Sequence, residues 1–256
     1  MNKKLLLLST ALLCASLCMA KKAESRDSIS VKQAFIDLPM GVLDILSYET
    51  RVSMVEDPVT IIEVIDEDDE IIDIPLLGDI DNMDDIGMEL EAITGDNTDF
   101  FYNDLNGQSQ IDTLTNDFMQ VKVSDASTLQ LKVLQKKNGD DVVLCLYTTG
   151  TPDESRDTDI SFFDSRMNPL PKKNFFPEVK LSDFFDTRGY KTKMKEIEEI
   201  LPFYTYYFEV NPDNNDITGK LTYSDRLPIE DAKILELFLK PEITFLWDGA
   251  KYKLSR

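Results

Sequence analysis

The spacing of apolar residues divides the chain into helical and extended stretches. Phe35 and Leu38, then Val42, Ile45 and Leu46, recur at helical intervals, with Pro39 between the two groups. That pattern predicts short helices over about 30–38 and 40–50. Ser30 followed by Gln33 supplies a capping box for the first. Residues 59–65 and 71–76 are β-branched runs on either side of an acidic tip, 66–70, which predicts a hairpin whose second strand Pro75 confines to an edge. Residues 83–94 read as a short helix or a loop. From Asp117 onward the period becomes two. Residues 118–123 and 129–133 alternate, 142–149 and 160–163 follow, and the links between them are short and polar. This predicts an antiparallel meander with one solvated face. Pro169, Pro171 and Pro177 mark a connector. Beyond it the pattern predicts helices over 192–201 and 229–239, and hairpins over 203–210/217–223 and 242–247/250–254.

The expected fold class is α+β, an antiparallel sheet with helices on one face. Each half offers a helix followed by about four strands. The corresponding division is a leader over 1–20, an N-terminal half over 21–168 containing an acidic insertion at 56–104, and a C-terminal half over 169–256.

The leader changes the picture of location. Lys3 and Lys4 precede an apolar run over 5–13, and small residues at Cys18 and Ala20 suit cleavage after Ala20. The run is too short to span a bilayer, and no later segment is apolar enough to do so. Lipidation at Cys18 is the competing reading, disfavoured because bulky Leu17 precedes the cysteine. The chain is therefore expected to be exported, to the periplasm or beyond, with no transmembrane span. After cleavage only Cys145 remains, in a strand-like apolar run, so no disulfide framework is expected and the thiol reads as a small buried hydrophobe.

Charge adds a local feature. The 256 residues carry 27 Lys and Arg against 48 Asp and Glu, a net charge of −21. Residues 52–121 hold 20 of the acids and no cation. A phosphate backbone repels such a field, so a nucleic-acid partner is excluded. The stretch reads first as a solvated, self-repelling face and secondarily as a docking surface for a basic partner. Asp66, Asp68, Asp69, Asp79, Asp81, Asp84 and Asp85 are the candidate oxygens for Ca²⁺, the one cofactor considered. They do not follow an EF-hand, since Met83 and Asp84 stand where that loop wants an acid and a glycine. No other cofactor is expected.

Candidate chemistry is sparse. The chain has no His, which removes His-dependent triads and His metal sites. It contains no G-x-S-x-G elbow and no glycine-rich phosphate loop. Paired carboxylates of the glycosidase kind stay open as an alternative. The other constellation is aromatic. Tyr204 and Tyr206 share one strand face, and Tyr223, Trp247 and Tyr252 fall in expected neighbouring strands. An exposed platform of that kind would stack on a glycan or anchor a protein. The bland alternative is a sheet core with hydroxyls at its margin.

Several segments, in order, resemble the exported family known as domain of unknown function 3256. They are 35–39, 114–118, the turn at 124–128, 129–134, 160–164 with Pro169 and Leu170, and the closing Trp247, Asp248 and Gly249 with Tyr252. The resemblance implies an exported α+β protein from a Gram-negative anaerobe and brings no catalytic residue with it. Residues 56–100 look like material extra to the family. The expected function is thus an exported, non-enzymatic binding or interaction protein of the cell envelope or periplasm. The alternatives are a carboxylate-based hydrolase and a structural component of an envelope assembly.

Overall fold

The structure, a computed structural model, describes residues 28–56, 62–65, 71–74, 100–151, 155–188, 190, 192–223 and 227–255. Helix α1 (Val31–Ile36) starts as the sequence predicts, with the Ser30 Oγ accepting the Gln33 N–H at 3.1 Å. The second helix does not lie over 40–50. Gly41 sits at φ +93°, a left-handed conformation that ends helical propagation, and turns carry the chain to Ser47. There the Ser47 Oγ accepts the Thr50 N–H at 3.1 Å and starts α2 (Tyr48–Glu56). Arg51 of α2 reaches back to α1. Its Nη1 donates to the carbonyls of Leu38 at 2.8 Å and Phe35 at 3.4 Å, satisfying acceptors that a helix C-terminus leaves over.

The acidic hairpin is present as backbone pairing, β1 (Ile62–Ile65) against β2 (Ile71–Ile74). The expected helix or loop at 83–94 lies outside the described residues. The meander contains more than the four strands read from the sequence. It runs through β3 (Phe101–Tyr102), β4 (Gln108–Leu114), β5 (Phe118–Ser124), β6 (Ser127–Gln135), β7 (Asp141–Thr149), β8 (Asp157–Asp164) and β9 (Pro169–Leu170) in one seven-stranded antiparallel sheet, in chain order. Both edge strands have two residues, and β9 begins with a proline, which shortens the ladders exposed at the rims. Asn103 ties β3 down. Its Nδ2 donates to the Val123 carbonyl at 3.0 Å, its Oδ1 accepts the Gly107 N–H at 2.9 Å, and the neighbouring Asp104 N–H donates to the Ile45 carbonyl at 2.9 Å. Residues 101–104 therefore belong to the main body, although the sequence placed them in the acidic insertion.

The proline-rich connector contains two 3₁₀ turns, η1 (Lys172–Asn174) and η2 (Leu181–Phe184), and leads to α3 (Lys193–Ile200). Strands β10 (Thr205–Val210), β11 (Ile217–Thr222), β12 (Ile243–Trp247) and β13 (Tyr252–Leu254) form a second antiparallel sheet, with α4 (Ile229–Phe238) between β11 and β12. Both predicted hairpins and both predicted helices of this part are found within a few residues of their expected bounds. The molecule is mostly β, with a seven-stranded sheet, a four-stranded sheet and short helices.

The large sheet is buried on both faces. Met119, Val121, Leu129, Leu131, Val143 and Cys145 pack under Val31, Phe35, Leu38 and Met54 of the N-terminal helices and the turns between them. The opposite face offers Phe118, Leu134, Leu144, Leu146, Ile160 and Phe162 to a second cluster, which includes Phe176, Phe208, Phe245, Ile197 and Leu235. Helical residues thus meet both clusters, and the expectation of helices on one face gives way. The expectation of a solvated sheet face is likewise corrected. Gln130 and Lys132 occupy the polar positions of the alternation, but they bond the second sheet. The Val210 N–H donates to the Gln130 Oε1 at 3.0 Å, and the Phe208 N–H donates to the Thr158 Oγ1 at 3.0 Å. Side chains of the large sheet thereby satisfy two donors at the free edge of β10. Lys132, 1% exposed, donates to the Pro212 carbonyl and pairs with the Asp117 carboxylate at 2.9 Å.

Candidate functional site

The connector and the last hairpin meet at one point. The Tyr252 N–H donates to the Phe175 carbonyl at 2.7 Å. Beside that bond lies an open groove of about 350 Å³ lined by Lys173, Phe175, Phe176, Pro177, Lys251, Tyr252, Lys253 and Leu254. Its floor is apolar. Phe176 lies 4.6 Å from Phe245 and 5.8 Å from Tyr252, ring centre to ring centre, and Phe175 stacks on Phe162 at 5.1 Å. Its rim is cationic. Lys253 pairs with Asp248 at 2.7 Å, and Lys253 together with the Ala250 and Lys251 amides holds the Asp248 carboxyl well below the usual carboxylate range. Lys173 and Lys251 are exposed, and neither has a carboxylate partner among the described residues. An apolar floor with two free ammonium groups can hold an anion whose remaining surface is apolar. The lining contains no carboxylate, His or Cys.

The residues singled out from the sequence fall elsewhere or contribute in part. Asp66, Asp68, Asp69, Asp79, Asp81, Asp84 and Asp85 lie outside the described residues. Among the described residues no three His, Cys, Asp or Glu side chains converge on a point. The aromatic set does share one face of the small sheet, and that face is the inner one. Tyr206 stacks on Phe184 at 5.2 Å with rings 7° apart, and burial, with Tyr204 beside it, pushes its hydroxyl above the ordinary tyrosine range. Tyr223 is half-buried against the same cluster. Trp247 lies 5.0 Å from Tyr252, and its Nε1 donates to the Gln135 carbonyl at 3.4 Å. Tyr252, expected on a partner surface, is 2% exposed, and its hydroxyl donates to the Asn215 carbonyl at 2.8 Å. Tyr204 keeps 38% of its surface and Phe203 keeps 88%. Of the expected platform, only Tyr252 lines the groove. Lys173 and Lys251 escaped the sequence reading, because nothing local joins Lys172-Lys173 to Lys251-x-Lys253. The available signal was that both pairs flank aromatic residues in a chain otherwise rich in acids.

Cys145 is fully covered. It pairs with Leu131 and Ser161 across the sheet, and burial pushes its thiol up to about 12. Thiol labelling of the native protein should therefore proceed only as fast as the sheet opens. Cys145→Ser should cost about 1–3 kcal/mol, the desolvation of a hydroxyl at that site, read by urea unfolding. Labelling within seconds under native conditions would contradict the burial.

Comparison with known proteins now places the fold. The family described as "Protein of unknown function (DUF3256)" matches residues 81–252. The chain belongs to this family. The DUF3256 match takes in the large sheet, the connector and nearly all of the small sheet, including six of the eight residues that line the groove. It begins inside the acidic stretch, so the material that looked extra to DUF3256 is matched from residue 81 onward, and the 35–39 segment lies before the match. A solved structure, "Structure of a domain of an uncharacterized protein from Porphyromonas gingivalis W83", is similar over 88% of this chain and 97% of its own, with a TM-score of 0.61 and 15% identity. At that identity the likeness is one of fold alone. No curated protein matches the chain.

Proposed function

We propose that this DUF3256 protein is an exported, non-enzymatic binding module and that it takes an anionic partner in the groove beside β13. One observation carries the reading. A chain of net charge −21 leaves Lys173 and Lys251 without carboxylate partners among the described residues, on the rim of an apolar groove. Exposed lysines in so acidic a chain have abundant potential partners, and two left open beside Phe175 and Leu254 suit a ligand that brings its own negative charge. The basic start, apolar run and small residues of 1–20 support export. A carboxylate-based hydrolase would need two acids facing each other across a cleft, and this groove is lined by none. Among the described residues no helix is long and apolar enough to cross a membrane.

The test uses the single tryptophan as reporter, since Trp247 packs on Tyr252 at the groove. Polyglutamate and a sulfated polysaccharide are titrated into the full chain at low and at physiological salt. At least one should perturb Trp247 emission, with affinity falling as salt rises, because exposed charge pairs are screened over about 8–10 Å at such ionic strengths. The Lys173→Glu/Lys251→Glu double variant should lose about tenfold or more, the effect of two attractions turned into repulsions of roughly 0.5–1 kcal/mol each. Equal binding by the variant, or no response to either polyanion, would remove the reading. N-terminal mass spectrometry of the protein from its native host should find a start near Lys21, and an intact leader would contradict export.

A further inference from the structure

We infer that the groove is a strand-addition site, in which an extended peptide alternating acidic and apolar residues pairs with the outer edge of β13. This rests on the reading of the groove as an anion site and goes further by naming the occupant. The register of the small sheet decides which backbone groups are free. Phe245 faces Leu254, Leu246 faces Lys253 and Trp247 faces Tyr252. The Ser255 N–H donates to the Thr244 carbonyl at 2.7 Å, and the Asp248 N–H donates to the Lys251 carbonyl at 3.1 Å. Lys251, Lys253 and Ser255 therefore turn their backbone groups toward β12, while Tyr252 and Leu254 turn theirs away from it. Of the outward groups, the Tyr252 N–H is taken by the Phe175 carbonyl. The Tyr252 carbonyl and both backbone groups of Leu254 have no backbone partner among the described residues.

The connector does not close this edge. Pairing between it and β13 stops after one bond, because η1 turns the chain at Lys172–Asn174 on one side and Pro177 has no N–H to give on the other. The opposite edge of the same sheet contrasts with it, since Thr158 and Gln130 bond the outward Phe208 and Val210 N–H groups of β10. An open edge beside a groove is the arrangement that accepts an added strand, with main-chain bonds giving affinity and alternate side chains giving choice. The alternation follows from β13 itself. Lys251 and Lys253 stand on the outer face of the sheet, so every second side chain of an added strand meets ammonium groups. Leu254 stands on the inner face with Phe175, Phe176 and Pro177 beside it, so the side chains between should be apolar.

The probe is a short capped peptide alternating glutamate and valine, titrated into the full chain with Trp247 emission and calorimetry as readouts. It should bind, and a peptide N-methylated at alternate amides on the edge-facing side should bind about tenfold or more weakly, the loss of one or two main-chain bonds. Leu254→Pro deletes an N–H that no described strand of the protein uses, and should weaken the parent peptide by about the same factor. Leu254→Ala keeps that N–H and separates out the loss of side-chain packing, expected at about threefold. If the N-methylated peptide binds as tightly as its parent, strand addition is wrong, whether or not Leu254→Pro folds, because that comparison uses the unaltered protein. If the sulfated polysaccharide binds and the peptide does not, the groove keeps its anion role and strand addition is wrong. If neither binds, and Lys173→Glu/Lys251→Glu changes nothing, the underlying reading falls with it.

Discussion

Phe176→Ala should lower the stability of the protein by about 3–5 kcal/mol, the usual range for truncating a fully packed phenylalanine. Phe176 is 4% exposed and joins several elements at once. Its ring meets Phe208 of β10 edge-on at 5.6 Å, Phe245 of β12 at 4.6 Å and Tyr252 of β13 at 5.8 Å, and its own segment leaves the large sheet. The cavity cannot collapse easily, because its walls are rings held in three strands of the small sheet. Phe208 is itself fixed by its cross-strand partner. Gly219 faces it in β11, and a Cβ there would stand 2.7 Å from the ring, so the ring lies flat over the glycine. For a chain of this size the loss corresponds to a fall of roughly 8–15 °C in Tm. Phe176→Leu keeps most of the volume and should cost about 1–2 kcal/mol. Urea unfolding of both variants beside the parent checks the ordering. A cost below about 1 kcal/mol for the alanine would mean that the ring does not anchor the connector to the small sheet.

Lys132→Ala should cost about 3 kcal/mol, chiefly for reasons other than its salt bridge. The ammonium donates to the Pro212 carbonyl in the β10–β11 turn, lies 5.9 Å from the Phe118 ring and pairs with Asp117. Asp117 is half-exposed, so water screens that pair and it contributes less than about 1 kcal/mol. The alanine suffers two greater losses. It leaves a carbonyl at the sheet interface without its donor, about 1–3 kcal/mol, and it removes an aliphatic stem buried between the sheets. Urea unfolding of three variants separates these contributions. Lys132→Met restores the stem and should recover half or more of the loss. Asp117→Asn should cost under about 1 kcal/mol. A larger cost for Asp117→Asn than for Lys132→Met would invert the assignment and make the ion pair the anchor.

The alternation of 118–123 and 129–133, and the β-branched run of 142–149, were enough to locate β5, β6 and β7. The turns between them are short because the meander has no crossovers. The hairpins β10–β11 and β12–β13 were legible for the same reason, and so was the cap at Ser30. The second helix was misplaced, because Val42, Ile45 and Leu46 keep helical spacing in turns that bury Leu43 and Leu46. Apolar spacing reports which side chains are buried and does not require helical backbone, and the positive φ at Gly41 overrides it. Strands β3, β4 and β9 were missed, since two are only two residues long and most of β4 is at least partly exposed.

Local pattern determined the longer strands from β5 onward, three of the four described helices, the burial of Cys145 and the concentration of acids in 52–121, because each is a property of neighbours in sequence. The tertiary structure decided what the polar side of each strand faces. Gln130 and Lys132 carry the pattern of a wet surface, yet they bond a second sheet formed some eighty residues later. Tyr252 carries the pattern of a platform, yet it lies in the core. The groove belongs wholly to this second kind of information. Lys173 and Lys251 become neighbours only when the Phe175 carbonyl takes the Tyr252 N–H, and among the described residues the edge of β13 stays open past that bond, where η1 turns the connector away and Pro177 has no N–H to give. Period along a chain records how much of each side chain is covered, and contact between distant segments settles what covers it.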